Sequence, residues 1–412
     1  MISTRESLKA WLRLSLTPGV GNITARALLQ GFGLPETIFK RSASELQALV
    51  SSAISHQLCQ VPEGLEETLD ITWEWLQKPA PHHASSAIHK RLLTLADTDY
   101  PSSLMLTPDP PCLLYVIGQT QHLHLLSPAA FKAPSAVAVV GSRNPTPQGR
   151  LNAHDFASSL AQAGLTVVSG LALGVDTEAH RGALHGGSLA NPLRTVAVVG
   201  TGLDRVYPQQ NHALALSIAA QGLLISEYPL NTPPINSNFP KRNRLIAGLS
   251  QGCLVVEAAT RSGSLITAKQ ALDMGKEVFA IPGSIHTTVA KGCHDLIKQG
   301  AKLVDCAQDI LEELKDLPIL VEKSAATEIS ESASDSDVEA ALLAADDQTR
   351  KVLDHLGHDP VGLDELQMRS GLPTAQLQAE LFQLELNGAL GRLPGGLYQK
   401  LKRASTRHPR AF

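Results

Sequence analysis

Between Ala136 and Lys302 the chain alternates short runs of β-branched and aliphatic residues with longer stretches of helical period. Strands are predicted at AVAVV (136–140), LTVVS (165–169), TVAVV (195–199), GLLISE (222–227), CLVVEA (253–258), EVFAIP (277–282) and AKLV (301–304). Helices fall between them: after Gly149, from about Asp176, from about Asn211, and over KRNRLIAGLS, SGSLITAKQALDMG and CHDLIKQG. Strands that are apolar at every position are buried on both faces, as in a parallel sheet covered by helices. The expected fold class is therefore α/β, a Rossmann-like, doubly wound, mostly parallel sheet. The proline-broken stretch from Leu92 to Gly118 reads as a strand-rich lead-in to it.

Both flanks carry the helical period instead. From Met1 to about Thr98 short helices are expected, and LSLTPGVGNITARALLQGFG sets Pro18, Gly19 and Gly21 between two of them. That pattern is SAM-like or helix-hairpin-helix-like: its glycines would bring backbone amides close to a DNA phosphate, or serve a purely structural hairpin. Near the other end, DQTRKVLDHL, two helices joined at Gly371 to Pro373, and the hairpin GRLPGGLYQK suggest a winged helix. Its recognition helix, Thr374 to Asn387, carries Glu380 and Glu385 and no basic residue, so a protein contact competes with DNA reading there. The expected organisation is a helical domain at 1–98, an extended Rossmann-like domain at 99–317, an acidic disordered linker at 318–345 and a winged helix-turn-helix domain at 346–402.

Composition narrows the setting. A chain of 412 residues is too long for one ordinary core, and 43% hydrophobic with 18% charged residues describes a globular protein. No apolar run approaches the roughly 18 residues that span a bilayer, and charges interrupt the opening MISTRESLKAWLRL, so no membrane contact and a cytoplasmic location are expected. Five scattered cysteines without a CxxC pair indicate neither a disulfide framework nor a zinc site. The net charge of −4 hides an asymmetry. Phe239 to Lys302 holds nine Lys or Arg against four Asp or Glu, whereas Asp305 to Asp347 holds two against thirteen.

The chemistry lies in the turns. In an open parallel sheet the strand carboxyl ends share one edge, so GSR (Gly141, Ser142, Arg143), the turns at Ser169, Gly170 and at Gly200, Gly202, and TRSGS with Arg261, Ser262, Gly263 and Ser264 become neighbours. NFPKRNR adds Phe239, Lys241, Arg242 and Arg244 at a helix start, where cations oppose the macrodipole and call for an anion. Arg242 and Arg244, two apart, cannot point the same way, so one of them is expected to brace the fold. Glycine amides, helix N-termini and dispersed guanidinium groups suit the phosphates of a polyanion. Catalytic alternatives are weaker. GTGLDR lacks the third glycine of a dinucleotide fingerprint, and no GxSxG or Walker A sequence occurs. Asp176 and His180 share a helix face without a third ligand, so no metal and no cofactor is implied. Glu257 and Arg261 keep one alternative open, a nucleotide phosphoribohydrolase-like enzyme acting on the same phosphate site.

GSRNPTPQGR, VVSGLALGVDTEAHRGAL, AVVGTGLDRVYP, LISEYPL, NFPKRNRLIAGLS, EAATRSGSLITAKQALDMGKEVFAIPG and GCHDLIKQGAKLV, taken together, closely resemble the DNA-processing protein A family (DprA, also called Smf). The resemblance implies a cytoplasmic homodimer that binds single-stranded DNA without marked sequence preference, protects incoming strands in natural transformation and loads the RecA recombinase. It implies a phosphate-binding role for Arg143 and a dimer interface over CHDLIKQGAKLV, notably at His294 and Leu303; Leu296 and Ile297 are expected there too, because this last unit of the sheet domain is followed only by the acidic stretch. The family often has a basic residue straight after YP, whereas this chain has Gln209, with Arg205 as a nearby substitute.

Overall fold

The computed structural model describes residues 2, 4–78, 88–126, 136–187, 191–314, 347–356, 360–393 and 395–401. The stretch expected as a linker, 318–345, lies outside them. Six helices open the chain: α1 (Arg5–Leu16), α2 (Asn22–Phe32), α3 (Pro35–Ile38), α4 (Ala43–Leu46), α5 (Ser52–Cys59) and α6 (Leu65–Gln77). Then follow β1 (His89–Thr94), α7 (Ser102–Met105), β2 (Leu113–Gly118), β3 (Ala136–Val140), α8 (Pro147–Gln162), β4 (Thr166–Ser169), α9 (Val175–His185) and β5 (Thr195–Val198). The sheet region continues with α10 (His212–Gln221), β6 (Leu223–Ser226), α11 (Asn238–Leu249), β7 (Gly252–Val255), α12 (Gly263–Asp273), β8 (Glu277–Ala280), α13 (Lys291–Lys298), β9 (Lys302–Leu303) and α14 (Ala307–Glu313).

These strands form one nine-stranded sheet in the order β1-β2-β6-β5-β4-β3-β7-β8-β9. From β6 to β9 every pairing is parallel, and only β1 and β2 run antiparallel to their neighbours. Successive residues of a strand face opposite sides. In β3, Val137 and Val139 therefore join Phe156 and Leu160 of α8 in one core, while Ala138 and Val140 join Leu245 of α11 in the other. Both faces are dry, which is why AVAVV has no polar position. The chain winds outward from β3 through β4, β5 and β6, then returns to β7 on the other side of β3. That reversal is the topological switch point of the sheet.

The opening helices enclose their own core around Leu8, Trp11, Leu12, Leu28 and Leu58, and it runs on to Leu92, Leu113 and Tyr115 of the sheet. Trp75 meets Tyr115 edge-on at 5.9 Å between centroids. Because β1 begins at His89, the sheet takes in residues ahead of position 99. Gly19 has φ +81°, and a Cβ there would press on Ile54, so the hairpin glycine serves a close internal packing.

One local expectation is corrected. The helix expected after Gly149 starts at Pro147 with Thr146 as its N-cap, and Gly149 lies inside it because a Cβ there would collide with the Glu257 carboxylate. The short α14 leaves no mark in the sequence periodicity, because its apolar positions, Ile310 and Leu311, are too few to show one. The C-terminal unit has α15 (Asp347–Leu356), β10 (Val361–Gly362), α16 (Leu363–Ser370), α17 (Thr374–Leu386), β11 (Leu390–Leu393) and β12 (Leu397–Lys400). Its three-stranded antiparallel sheet and a separate core of Val352, Leu366, Leu377, Leu381 and Tyr398 make it a winged helix.

Candidate nucleic-acid interface

At the switch point the loops after β3 and β7 part, leaving a cleft of about 590 Å³. This is where an open α/β sheet places its ligand crevice. Gly141, Ser142 and Arg143 line one wall, Arg261, Ser262, Gly263 and Ser264 another, and Phe239 and Asn243 of α11 a third, with Arg242 of the same helix in the floor. Close loop packing builds it. A Cβ on Gly141 would press into Val175 and the Glu257 carbonyl, and one on Gly174, at φ +84°, would run into the Ser142 and Arg143 carbonyls. The Val175 amide donates to the Ser142 carbonyl at 3.0 Å. The GSR turn is thus fixed by its backbone, and the Arg143 side chain is left exposed at the mouth.

The cations of NFPKRNR divide three ways. Lys241 is exposed and lies outside the cleft lining. Arg242 is buried in the cleft floor, donates to the Val198 carbonyl, and fills the space that a side chain on Gly170 would need. Burial lowers its pKa to about 10, opposed by the attraction of Asp176. Its Nε is buried with no acceptor among the described residues. Arg244 turns away from the cleft. It pairs with Asp109 at 3.0 Å and with Glu227, and also donates to the Asp109 carbonyl at 3.0 Å. Burial pushes the Glu227 pKa up and Arg244 pulls it down, so this cation neutralises an internal carboxylate. Arg244 braces α11 against the segments after β6 and before β2.

Several of the polar groups expected at the edge are engaged inside the fold. Ser169 Oγ donates to the Val139 carbonyl at 2.7 Å, the Gly170 amide to Asp176 at 3.1 Å, and the Gly202 amide to the Thr232 carbonyl at 3.1 Å. Gly200 backs onto the Phe239 ring. These four do not line the cleft. Ser262 N-caps α12, its Oγ accepting from the Ser264 amide at 3.3 Å, and Arg261 beside it is exposed. Asp176 and His180 are both buried. Asp176 accepts the Gly170 and Ala172 amides, while burial pushes the His180 imidazole down to about 3 as its Nδ1 meets Thr195 Oγ1 at 2.7 Å. Glu257 also faces inward. Its oxygens accept from the Thr146 amide at 2.9 Å and hydroxyl at 2.6 Å, fastening α8 to the end of β7. Burial raises its pKa.

One side chain not expected at the site stands at the lip. Tyr207 is 47% exposed, its ring centroid 5.5 Å from that of Phe239 with a 33° tilt, and the Arg143 guanidinium carbon lies 5.9 Å from the Phe239 centroid. Guanidinium, phenyl and phenol thus form a row along the cleft edge. The aromatic in VYP was visible in sequence, but only the β5 and β6 loops bring it to Phe239. Arg205, the suggested substitute for a basic residue at Gln209, pairs with Asp204 at 2.9 Å.

At the far edge of the sheet Leu303 is 48% exposed on the terminal strand β9. Leu296 is buried in the core, Ile297 packs partly against it, and the His294 ring meets the Gly283 carbonyl at 2.9 Å. Among the described residues no helix is long and apolar enough to cross a membrane.

Residues 91–315 match the family model for DNA recombination-mediator protein A, and residues 335–396 match the DprA winged helix domain. The chain is 33% identical to the protein Smf of Synechocystis over 95% of its own length and 98% of that protein's. It is 39% identical to the Smf of Escherichia coli over 80% of each. The solved structure of DNA processing protein A from Streptococcus pneumoniae superposes with a TM-score of 0.59 at 35% identity, covering 76% of this chain and 99% of that one.

Proposed function

The chain belongs to the DNA recombination-mediator protein A family, and from that premise we propose that it binds single-stranded DNA along the switch-point cleft and passes the bound strand to the RecA recombinase. Protecting incoming DNA in natural transformation and recombination in the cytoplasm is the cellular role that fits this activity. One observation carries the reading: exposed Arg143 and Arg261 flank an open cleft whose floor is the buried Arg242, with Phe239 and Tyr207 along its lip. Phosphates would lie against Gly141, Ser142, Arg143, Arg261 and the start of α12 at Ser262, Gly263 and Ser264. Bases would stack outward on Phe239 and Tyr207, with Lys241 adding charge outside the cleft. Ser169, Gly170, Gly200 and Gly202 support these loops from beneath, and Arg244 supports α11. Contacts of this kind are mainly to the backbone, so affinity falls steeply with salt and sequence preference is slight.

The family's description as a recombination mediator supports a handover to a recombinase, and a homodimer would hold two clefts on one strand and raise effective affinity without a new contact. Leu303, exposed on the terminal strand β9, supports that edge as the interface, with Leu296 and Ile297 packed behind it. The hydrolase alternative needs a carboxylate facing a bound ribose phosphate. Glu257 is turned to Thr146, and Asp176, the carboxylate that lines the cleft, is held by the Gly170 and Ala172 amides, which favours the binding role. A salt-titrated binding series comparing single strands, duplexes and free nucleotides tests the proposal. Single strands should bind tightest and lose affinity with salt; preferential binding and turnover of a free nucleotide would overturn it.

A further inference from the structure

The helix that would read DNA in a winged helix, α17, is apolar on two faces. Leu377, Leu381 and Leu384 are buried in the core of the domain. On the opposite side Ala375, Ala379, Phe382 and Leu386 are exposed, Phe382 at 62% and Leu386 at 69%. Those four stand four, three and four residues apart, the spacing of a coiled-coil seam. Two large apolar side chains adjacent on one helix face, each more than half in water, mark an interaction surface rather than scattered exposure.

We propose that this seam is a self-association surface on which α17 of a second copy packs antiparallel. The seam is small in its first half and large in its second. In an antiparallel two-fold pair Ala375 lies opposite the partner's Leu386, and Ala379 opposite the partner's Phe382, so each layer joins a small side chain to a large one. A parallel pair would set alanine on alanine at one end and phenylalanine on phenylalanine at the other, leaving a gap and a crowded layer. The flank agrees with the antiparallel choice. Gln378 comes opposite the partner's Glu385, so no like charges meet there. With no Lys or Arg on α17, a nucleic acid is a poor occupant. The acidic segment of the chain itself, with thirteen carboxylates between Asp305 and Asp347, would bring like charge to Glu385. This surface is separate from the β9 edge and does not rest on the strand-binding reading. Two different two-fold contacts on one chain would link dimers into larger assemblies that grow with concentration.

Sedimentation velocity of the full chain without DNA, over a concentration series, tests this. The parent should pass beyond one oligomeric step. Phe382→Glu should weaken one step by roughly tenfold or more, since a burial made twice in the pair is lost. Ala379→Trp should weaken it too, despite adding apolar surface, because its layer becomes overfilled. Gln378→Lys should strengthen it a few-fold at low salt, the new ammonium facing the partner's Glu385. All three positions are exposed, and unchanged melting curves establish that the variants fold. A Phe382→Glu protein with the parent's concentration dependence overturns the proposal. So does strengthened association on deleting residues 402–412, which carry Lys402, Arg403, Arg407 and Arg410, or weakening by Gln378→Lys, because either assigns the seam to that basic segment. A Leu303→Arg protein that keeps the Phe382-dependent step supports it, whatever becomes of the sheet edge.

Discussion

The cleft after β3 and the outer face of α17 are both positions where a protein built from a parallel sheet and a winged helix can meet nucleic acid, and their chemistry is opposite. The cleft has arginine at its mouth and floor, two helix starts and aromatic rings along its lip. The helix face has alanines, a phenylalanine and a leucine, with no cation on the helix. Backbone phosphates need the first surface, whereas the second gains only from removing apolar area from water. A fold name would assign DNA to both; the side chains support the proposed strand binding at only one.

The same contrast runs inside NFPKRNR, and its largest expected effect is structural. Arg244→Ala leaves Glu227 buried without its cation and should destabilise the fold by about 3–5 kcal/mol in a denaturant titration. The folded fraction should bind a short single strand within about twofold of the parent, since Arg244 is directed away from the cleft. Parent-like stability with weakened binding would move Arg244 to the site. Arg143→Glu should do the reverse. Strand affinity should fall roughly hundredfold for every sequence, with an unchanged melting temperature, because an exposed cation at the proposed phosphate site becomes an anion.

Next in size is a pH effect beneath the cleft. His180 is held neutral with its pKa near 3 in the fold, against about 6.5 when unfolded, so the unfolded chain binds more protons as pH falls below 6.5. Stability is therefore lost on acidification, by about 2 kcal/mol from this residue at pH 5. Denaturation of a His180→Gln protein should show a correspondingly shallower fall between pH 7 and pH 5. Equal slopes would mean that His180 is not held neutral. The smallest effect belongs to the lip. Tyr207→Ala should weaken strand binding about five- to tenfold, the contribution of one stacked base, and leave salt dependence unchanged.

The sheet was legible because a strand buried on both faces cannot hide its composition: Val137 to Val140 admit no polar residue, and their turns then define the edge. The GSR turn and the start of α12 came together at the cleft for that reason, through order along the chain and the parallel rule. Pairings between distant loops were not legible. Gly149 reads as a helix breaker until the Glu257 carboxylate is seen to occupy its missing side chain. Arg244 resembles its neighbour Arg242 in sequence, and only Asp109 and Glu227 separate their roles. Tyr207 lies thirty-two positions from Phe239, with a helix and a strand between, so no periodicity connects them. On α17 the absence of cations was plain in sequence, but which apolar positions faced out depended on the domain core.

The most direct test of the central claim is the slope of single-strand affinity against salt on logarithmic axes, measured for the parent and Arg143→Ala side by side. A phosphate-binding cleft predicts a steep parent slope that Arg143→Ala reduces by about one. A flat parent slope, or two identical slopes with identical affinities, would place the DNA elsewhere on the molecule.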